Sequence, residues 1–145
     1  LDRSRFLSEA RRLLKSHGYL VIYNNSFSRK MAENPDFEEW VYEVHLKRYP
    51  TPPRNRQPFE EEDANREGFD FLGKEHYTNE VNFSRDALVD YILTQTNCIA
   101  AVEQGNERID NVRALLLSDL EPFFKTPKGI FLFGGPITYL KNSQS

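Results

Sequence analysis

Within Phe6–Tyr23 the hydrophobic positions first recur at the period of an α-helix and then become an unbroken apolar run. The apolar stripe of the helical part consists of Phe6, Leu7, Ala10, Leu13 and Leu14. Asp2 or Ser4 can cap the first turn, and Gly18 can adopt the left-handed conformation that ends a helix. The pattern therefore predicts an amphipathic helix, a glycine stop and a strand at Tyr19–Tyr23.

The predicted strand Tyr19–Tyr23 shows no alternation of apolar and polar residues. Strands of this kind are typically covered on both faces, as in the parallel sheets of α/β proteins. A helix that feeds such a strand is half of a βαβ crossover, and the preceding strand would lie upstream of Leu1. Because residue 1 is leucine rather than methionine, we expect the chain to begin inside a larger protein.

A second helix is predicted from Asn34-Pro35-Asp36, which combine a cap, a proline at the first helical position and an acidic first turn. At α-helical period its buried face would hold Phe37, Trp40, Val41, Val44 and Arg48. His45 lies beside that face, where we expect a hydrogen-bonded or solvated histidine. Pro50 is the predicted end of the helix.

Between Pro50 and Gly68 the chain becomes rich in proline and charge. Prolines hold the backbone in extended or turn conformations and interrupt helices and strands. An acidic run, Glu60–Asp63, follows these prolines. We predict a long surface loop, which is either a functional lid or a solvated insertion.

Further along the chain the apolar positions predict a strand and several helical segments. Alternation in Tyr77–Phe83 predicts a half-buried strand. Ser84 can cap a short helix directly after it, and Asn106 can cap the longest helix of the chain.

The last apolar run, Ile130–Leu140, predicts a strand with a bulge or bend at Gly134-Gly135-Pro136. Together with the helical stripes, the strands define an expected core. Its members are Phe6, Leu13, Leu20, Ile22, Val81, Leu116, Leu120, Phe131 and Ile137.

Composition limits the functions of this chain without identifying one. It has 145 residues, 39% of them hydrophobic and 28% charged, which is ordinary for one globular domain. The net charge of −3 gives no electrostatic reason to expect nucleic acid or an anionic membrane as a partner. No apolar run approaches the roughly 20 residues that cross a bilayer. The single cysteine, Cys98, excludes an internal disulfide, and we expect a cytoplasmic protein.

The sequence contains no self-contained catalytic set. Its histidines, His17, His45 and His76, fall on separate predicted elements and lack the spacing of metal ligands. Neither a P-loop nor a G-x-S-x-G elbow is present. Gly134 and Gly135 lead into another strand, so they cannot present a helix N-terminus to a phosphate. We therefore predict no metal site and name no catalytic residue.

A family resemblance is carried by the first helix and strand, RFLSEARRLLKSHGYLVIY. This segment resembles the helix and fifth strand of class I S-adenosylmethionine-dependent methyltransferases, in which a helix ending in a lysine-x-x-glycine step feeds this strand. The later segments LTQTNCIAAVEQG and FLFGGPITYL are similar to the tail of the small-molecule, type 11-like branch of that family. The resemblance covers nearly the whole chain.

This resemblance implies an α/β fold class, the C-terminal part of a Rossmann-like methyltransferase fold, with a small mixed sheet, an antiparallel last strand and packed helices. Tyr77–Phe83 would be the sixth strand, and Ile130–Leu140 would be the seventh, lying between the other two strands. We expect residues 1–145 to be a single domain or fragment. Its parts would be 1–23, a helix and buried strand; 24–75, a helical or loop insertion that could form a lid; and 76–145, edge strands and helices.

The resemblance also implies S-adenosylmethionine as the cofactor of the intact enzyme. The family's glycine-rich motif, its acidic residue after the second strand and its fourth-strand motif would all precede Leu1. We therefore assign no cofactor-binding residue in this chain and expect no cofactor to bind the chain alone. The implied partners are a small-molecule methyl acceptor and the missing N-terminal cofactor-binding half. Because the strand Tyr19–Tyr23 would lose a neighbour, we also expect self-association.

Two functions remain open. The first is the C-terminal segment of a methyltransferase that acts on a small molecule, contributing the sheet edge and the acceptor pocket and inactive in isolation. Its acceptor-side candidates are Asn24, Asn25, Phe27 and Trp40. The alternative is a plain solvated turn for Asn24 and Asn25, and core packing for Trp40. The second is a non-catalytic binding or assembly module derived from a methyltransferase. A glycine-rich loop encoded upstream of Leu1, with an acidic residue about 20 positions later, would distinguish the first from the second.

Overall fold

A computed structural model of the chain describes residues 2–53 and 57–143. The fold is mixed α/β, with an open antiparallel sheet and packed helices. In chain order the elements are α1 (Arg3–Leu13), β1 (Tyr19–Tyr23), β2 (Ser26–Met31), α2 (Asp36–Trp40), a π-helical turn (Val41–His45), α3 (Leu46–Arg48), α4 (Glu61–Arg66), β3 (Phe69–Ser84), α5 (Arg85–Leu93), α6 (Thr96–Glu103), α7 (Ile109–Leu120), a 3₁₀ turn (Glu121–Phe123) and β4 (Lys128–Asn142).

The described residues form two compact units. The first unit comprises residues 2–26, 57–78 and 134–143, and the second comprises residues 27–53 and 79–133. The long strands β3 and β4 each contribute residues to both units.

β4 lies in the interior of the four-stranded sheet, where it pairs with β1, β2 and β3. It runs antiparallel to β1, with Val21 opposite Tyr139. The prediction that the last strand lies inside the sheet rather than at its edge is confirmed. β2 is an addition to the predicted strands, because its sequence, SFSRKM, has too few apolar residues to show a strand pattern.

In the first unit, α1 packs on the sheet through Leu7, which is fully enclosed. The carboxylate of Asp2 caps α1 by accepting a hydrogen bond from the Arg5 amide (3.1 Å). The surrounding apolar cluster consists of Ala10, Leu14, Leu20, Ile22, Phe59, Ala64, Phe69, Phe71 and Leu140. Phe6 and Leu13 were predicted to join this core, but both are exposed, Leu13 by 69%. That part of the prediction is wrong because the buried stripe of α1 is narrower than its apolar stripe.

β1 is covered on one face only within the described residues. Tyr19, Val21 and Tyr23 are 64%, 49% and 68% exposed, whereas Leu20 and Ile22 pack in the cluster beneath α1. The expectation of a buried parallel strand is therefore wrong for this chain. α1 covers one face of β1, which accounts for the burial of that face. The strand that pairs with β1, β4, runs antiparallel to it.

β4 is continuous through Gly134 and Gly135, where a bulge or bend was predicted, and these glycines are a point of close backbone approach in the first unit. A Cβ atom on Gly134 would lie 2.1 Å from the carbonyl oxygen of Tyr77, and one on Gly135 would lie 2.5 Å from that of Asn24. Both oxygens belong to the backbone and cannot rotate away. Glycine is therefore required here because neighbouring backbone occupies the place of a side chain.

Replacing Gly134 by alanine should lower the free energy of unfolding by about 1–3 kcal/mol, because the neighbouring backbone has to move. The matched control is Gly73→Ala in β3, where an added Cβ atom would meet nothing within 4 Å. That control should be neutral or slightly stabilising. Urea unfolding of both variants measures the difference, and equal stabilities would contradict the close approach.

In the second unit, α5 contacts α7 across an apolar core. Ser84 caps α5 as predicted, its hydroxyl accepting a hydrogen bond from the Ala87 amide (3.1 Å). α7 is the longest uninterrupted α-helix of the described residues, as predicted, but it begins after Arg108 rather than at Asn106. Buried members of this core include Phe37, Val41, Leu88, Val89, Ile92, Val112, Leu116, Leu120, Phe131 and Phe133.

The predicted loop Pro50–Gly68 contains a helix, so the loop prediction is wrong in part; residues 54–56 of it lie outside the described residues. α4 begins after Glu60, whose amide donates a hydrogen bond to the Asp63 carboxylate (2.9 Å). Acidic side chains are favourable in the first turn of a helix. The acidic run therefore starts a helix, and Glu60, Glu61 and Glu62 remain exposed to solvent.

Candidate functional site

The helical segment that begins with α2 changes its period at the π-helical turn and then continues into α3. A π-helical turn contains more residues than an α-helical turn, so the buried face moves along the sequence. Val44 and Arg48, predicted on the buried face, are exposed. His45 and Tyr49 are buried in their place, with exposed fractions of 6% and 2%. The turn thus brings a histidine and a tyrosine into the interior of the second unit.

Asn97, the second residue of α6, fixes the state of the His45 ring. Its Nδ2 atom donates a hydrogen bond to the Tyr49 carbonyl oxygen (3.0 Å) and lies 3.3 Å from His45 Nε2. A carbonyl oxygen only accepts, which identifies this Asn97 atom as the amide nitrogen, a donor. Nε2 of His45 therefore accepts, and the proton of the neutral ring is on Nδ1.

The pKa of His45 agrees with a neutral ring. Burial, and to a lesser extent the charges of Arg48 and Arg29, lower this pKa from 6.5 to about 4, against the opposing effect of Asp119. Burial likewise raises the pKa of Tyr49. Both side chains are therefore uncharged at neutral pH.

Two buried polar atoms in this region have no hydrogen-bond partner among the described residues, His45 Nδ1 and the Tyr49 hydroxyl oxygen. Most buried polar groups in folded proteins are hydrogen-bonded, because an unpaired one costs about 1–3 kcal/mol. His45 Nδ1 and the Tyr49 hydroxyl are therefore buried hydrogen-bonding groups that no contact among the described residues satisfies.

The Trp40 side chain packs against His45. Its ring stacks on His45 with a centroid distance of 5.1 Å and an interplanar angle of 23°. Its Nε1 atom donates a hydrogen bond to Asp119 Oδ2 (3.3 Å), which also accepts one from Arg48 (3.1 Å). The set of Trp40, His45, Tyr49, Asn97 and Asp119 is called the His45 cluster below.

Cys98 lies next to Asn97 in sequence and is buried. Burial raises the pKa of its thiol to about 11, so the thiol remains protonated at neutral pH and is a poor nucleophile. Within residues 2–53 and 57–143, no group of three or more histidine, cysteine and acidic side chains could hold a metal ion. The chemistry available in the His45 cluster is hydrogen bonding, aromatic stacking and proton acceptance by a neutral imidazole.

Of the acceptor-side candidates, Asn24 and Asn25 lie in the first unit and are exposed. The Tyr77 hydroxyl donates a hydrogen bond to the Asn24 carbonyl oxygen (2.9 Å), and Asn24 Nδ2 donates one to the Ser26 hydroxyl (3.4 Å). These contacts hold the turn after β1, and its side chains remain available to solvent.

Phe27 and Trp40 lie in the second unit. Phe27 stacks on Phe133 at 5.1 Å, and both candidates contact Phe37, at 6.1 Å from Phe27 and 5.8 Å from Trp40. The structure therefore brings these two candidates to one aromatic ring. A contact of any of the four candidates with a substrate stays a prediction.

The rest of the His45 cluster was not identified from the sequence. Trp40 and His45 are five residues apart, a spacing that only a π-helical turn places on one face. Asn97 is 52 residues from His45, and no local pattern joins them. The five-residue spacing of two aromatic rings in a predicted helix is the one signal that could have indicated the cluster.

Comparison with models of known protein families finds no match to this chain, and comparison with curated proteins finds none either. In the part of the chain that the structure describes, no helix has both the length and the apolar character of a membrane span.

Proposed function

We propose that this chain is the C-terminal segment of a class I S-adenosylmethionine-dependent methyltransferase that acts on a small molecule. The observation that supports this proposal is the arrangement of β1 and β4 after α1. The helix ends at Leu13, so Gly18 is not its stop, and the left-handed residue before β1 is His17; β1 follows, and the last strand pairs with it antiparallel in the interior of the sheet. The resemblance to the fifth and seventh strands of the family implies this order.

We do not assign the cofactor to the glycine pair of this chain. The glycine pair of the chain, Gly134 and Gly135, has no space beside it, because the carbonyl oxygens of Tyr77 and Asn24 lie where a Cβ atom would be. It is therefore a packing feature and not a cradle for a ligand. In the intact enzyme S-adenosylmethionine would supply the methyl group, bound by a cofactor half outside these residues.

The role we propose for this chain is to hold the methyl acceptor. Methyl transfer requires that the acceptor be positioned in line and shielded from water. Trp40 is suited to this role because it is half-buried, with its ring stacked on His45 and its Nε1 atom bonded to Asp119. A side chain fixed in this way presents a rigid apolar surface to an acceptor.

Calorimetric titration with S-adenosylmethionine tests the division of roles. The 145-residue chain should show no binding at micromolar concentrations. A longer polypeptide encoded with the upstream glycine-rich and acidic motifs should bind the cofactor and methylate a small molecule. Micromolar binding by the 145 residues alone would contradict the proposal, as would an upstream coding sequence that lacks both motifs.

A second candidate function is a non-catalytic assembly module derived from a methyltransferase. The observation that favours it is the exposed side-chain row of Tyr19, Val21 and Tyr23 on β1. Under this alternative the longer polypeptide would bind neither cofactor nor acceptor, and association through β1 would be its measurable activity.

A further inference from the structure

The outer edge of β1 carries unpaired main-chain groups. The Gly18 carbonyl oxygen accepts a hydrogen bond from the Asn142 amide (2.8 Å), and the Asn24 amide donates one to the Pro136 carbonyl oxygen (3.2 Å). Main-chain groups of an antiparallel strand point alternately to its two edges. The even-numbered residues from Gly18 to Asn24 thus face β4, and the odd-numbered residues between them point away.

The side chains at this edge are apolar or aromatic. The residues whose amides and carbonyls point outward are Tyr19, Val21 and Tyr23, whose side chains are also exposed. Among the described residues β4 is the strand that pairs with β1, so the outward edge has no strand partner there. The segment contains no charge, proline or glycine, the features with which proteins discourage pairing at an edge.

The sequence of β1, YLVIY, is symmetric about Val21 in residue type. If a second copy pairs antiparallel with Val21 opposite Val21, each Tyr19 faces a Tyr23 and each Leu20 faces an Ile22. Aromatic residues then meet aromatic residues, and aliphatic residues meet aliphatic ones, which are favourable cross-strand pairs. In this arrangement the outward-pointing residues also lie opposite one another: Tyr19 of each copy is opposite Tyr23 of the other, and Val21 is opposite Val21. Their amides and carbonyls can therefore form hydrogen bonds between the two copies.

We infer that a second copy of this chain binds the outer edge of β1, antiparallel, with Val21 on the two-fold axis. The Val21 pair and the two Tyr19–Tyr23 pairs each exchange two hydrogen bonds, about six in all. The interface is isologous, the same patch on both copies, so it closes as a dimer. A strand of different sequence would match the hydrogen bonds but not the residue symmetry, which is why we assign the edge to a second copy. This inference concerns the 145-residue chain and does not rest on the proposed methyl transfer, in which a strand of the N-terminal half would occupy the same edge of β1.

Sedimentation equilibrium at micromolar concentration tests the dimer. The parent chain should have twice the monomer mass, and Val21→Lys should be monomeric because two like charges would meet at the axis. The matched control is Leu13→Lys on α1, which also adds a charge at an exposed apolar position of the first unit. It should leave the dimer intact. A strictly monomeric parent, or a Val21→Lys variant that remains dimeric, would overturn the inference.

Val21→Pro tests the register without adding charge. The Val21 amide points away from β4, so proline there removes no hydrogen bond to β4 but removes two across the axis. The variant should keep the circular dichroism of the parent and lose the dimer mass. A folded Val21→Pro variant that is still dimeric would overturn the register. In Leu20→Pro the lost amide faces β4, so that variant should lose stability as a monomer.

Discussion

Leu116→Ala should lower the free energy of unfolding by about 2–5 kcal/mol, one of the largest effects expected of a single substitution in this chain. Leu116 lies on α7 with no exposed surface, in the apolar core of the second unit. Truncation removes buried methyl groups and leaves a cavity that neighbours fill only in part. Chemical denaturation with urea measures the loss.

The control for Leu116→Ala is Ile109→Ala at the start of the same helix. Ile109 is more than half exposed, and alanine is the better helix former. This variant should change stability by no more than about 0.5 kcal/mol. A loss below roughly 0.5 kcal/mol for Leu116→Ala would mean that α7 does not pack through that face.

The parts of the fold that were predicted correctly are those with strong local signals. Asp2 caps α1, Ser84 caps α5, and β1 begins and ends at Tyr19 and Tyr23 as the apolar run indicated. Caps and unbroken apolar runs act over a few residues, so a single sequence contains all the information needed.

The burial of β1 was not predictable in the same way. An apolar run shows that a strand can be buried on both faces. Whether each face is buried depends on which elements elsewhere in the chain pack against it. In this structure α1 covers Leu20 and Ile22, and Tyr19 and Val21 remain exposed. The same residues that misled the burial prediction define the edge to which we assign a second copy.

The candidate site was predicted only at Trp40. The α-helical period placed Val44 on the buried face, and the π-helical turn moved that position to His45. A shift of one residue is invisible to a pattern that assumes a constant period. Asn97 enters through a tertiary contact with a residue 52 positions earlier in the chain, which no periodicity encodes.

The second large effect concerns pH. When the pH is lowered from 7 to 4.5, the titration of His45 should reduce the free energy of unfolding by about 2–3 kcal/mol, in addition to any loss from carboxylates. The pKa of His45 is lowered from 6.5 to about 4 in the folded state, with burial as the main cause. Below pH 6.5 the unfolded chain therefore binds a proton at this residue that the folded chain does not. The stabilisation is complete above pH 6.5 and is lost as the pH falls towards 4.

Urea unfolding of the parent and of His45→Gln at both pH values isolates this contribution. Glutamine can accept a hydrogen bond from Asn97 through its side-chain oxygen but does not titrate. Losses from carboxylates are common to the two proteins, so the parent should lose about 2–3 kcal/mol more than the variant on acidification. The matched control is His76→Gln at an exposed position of β3, which should follow the parent. If the parent and His45→Gln lose the same free energy, the His45 ring is not held neutral inside the second unit.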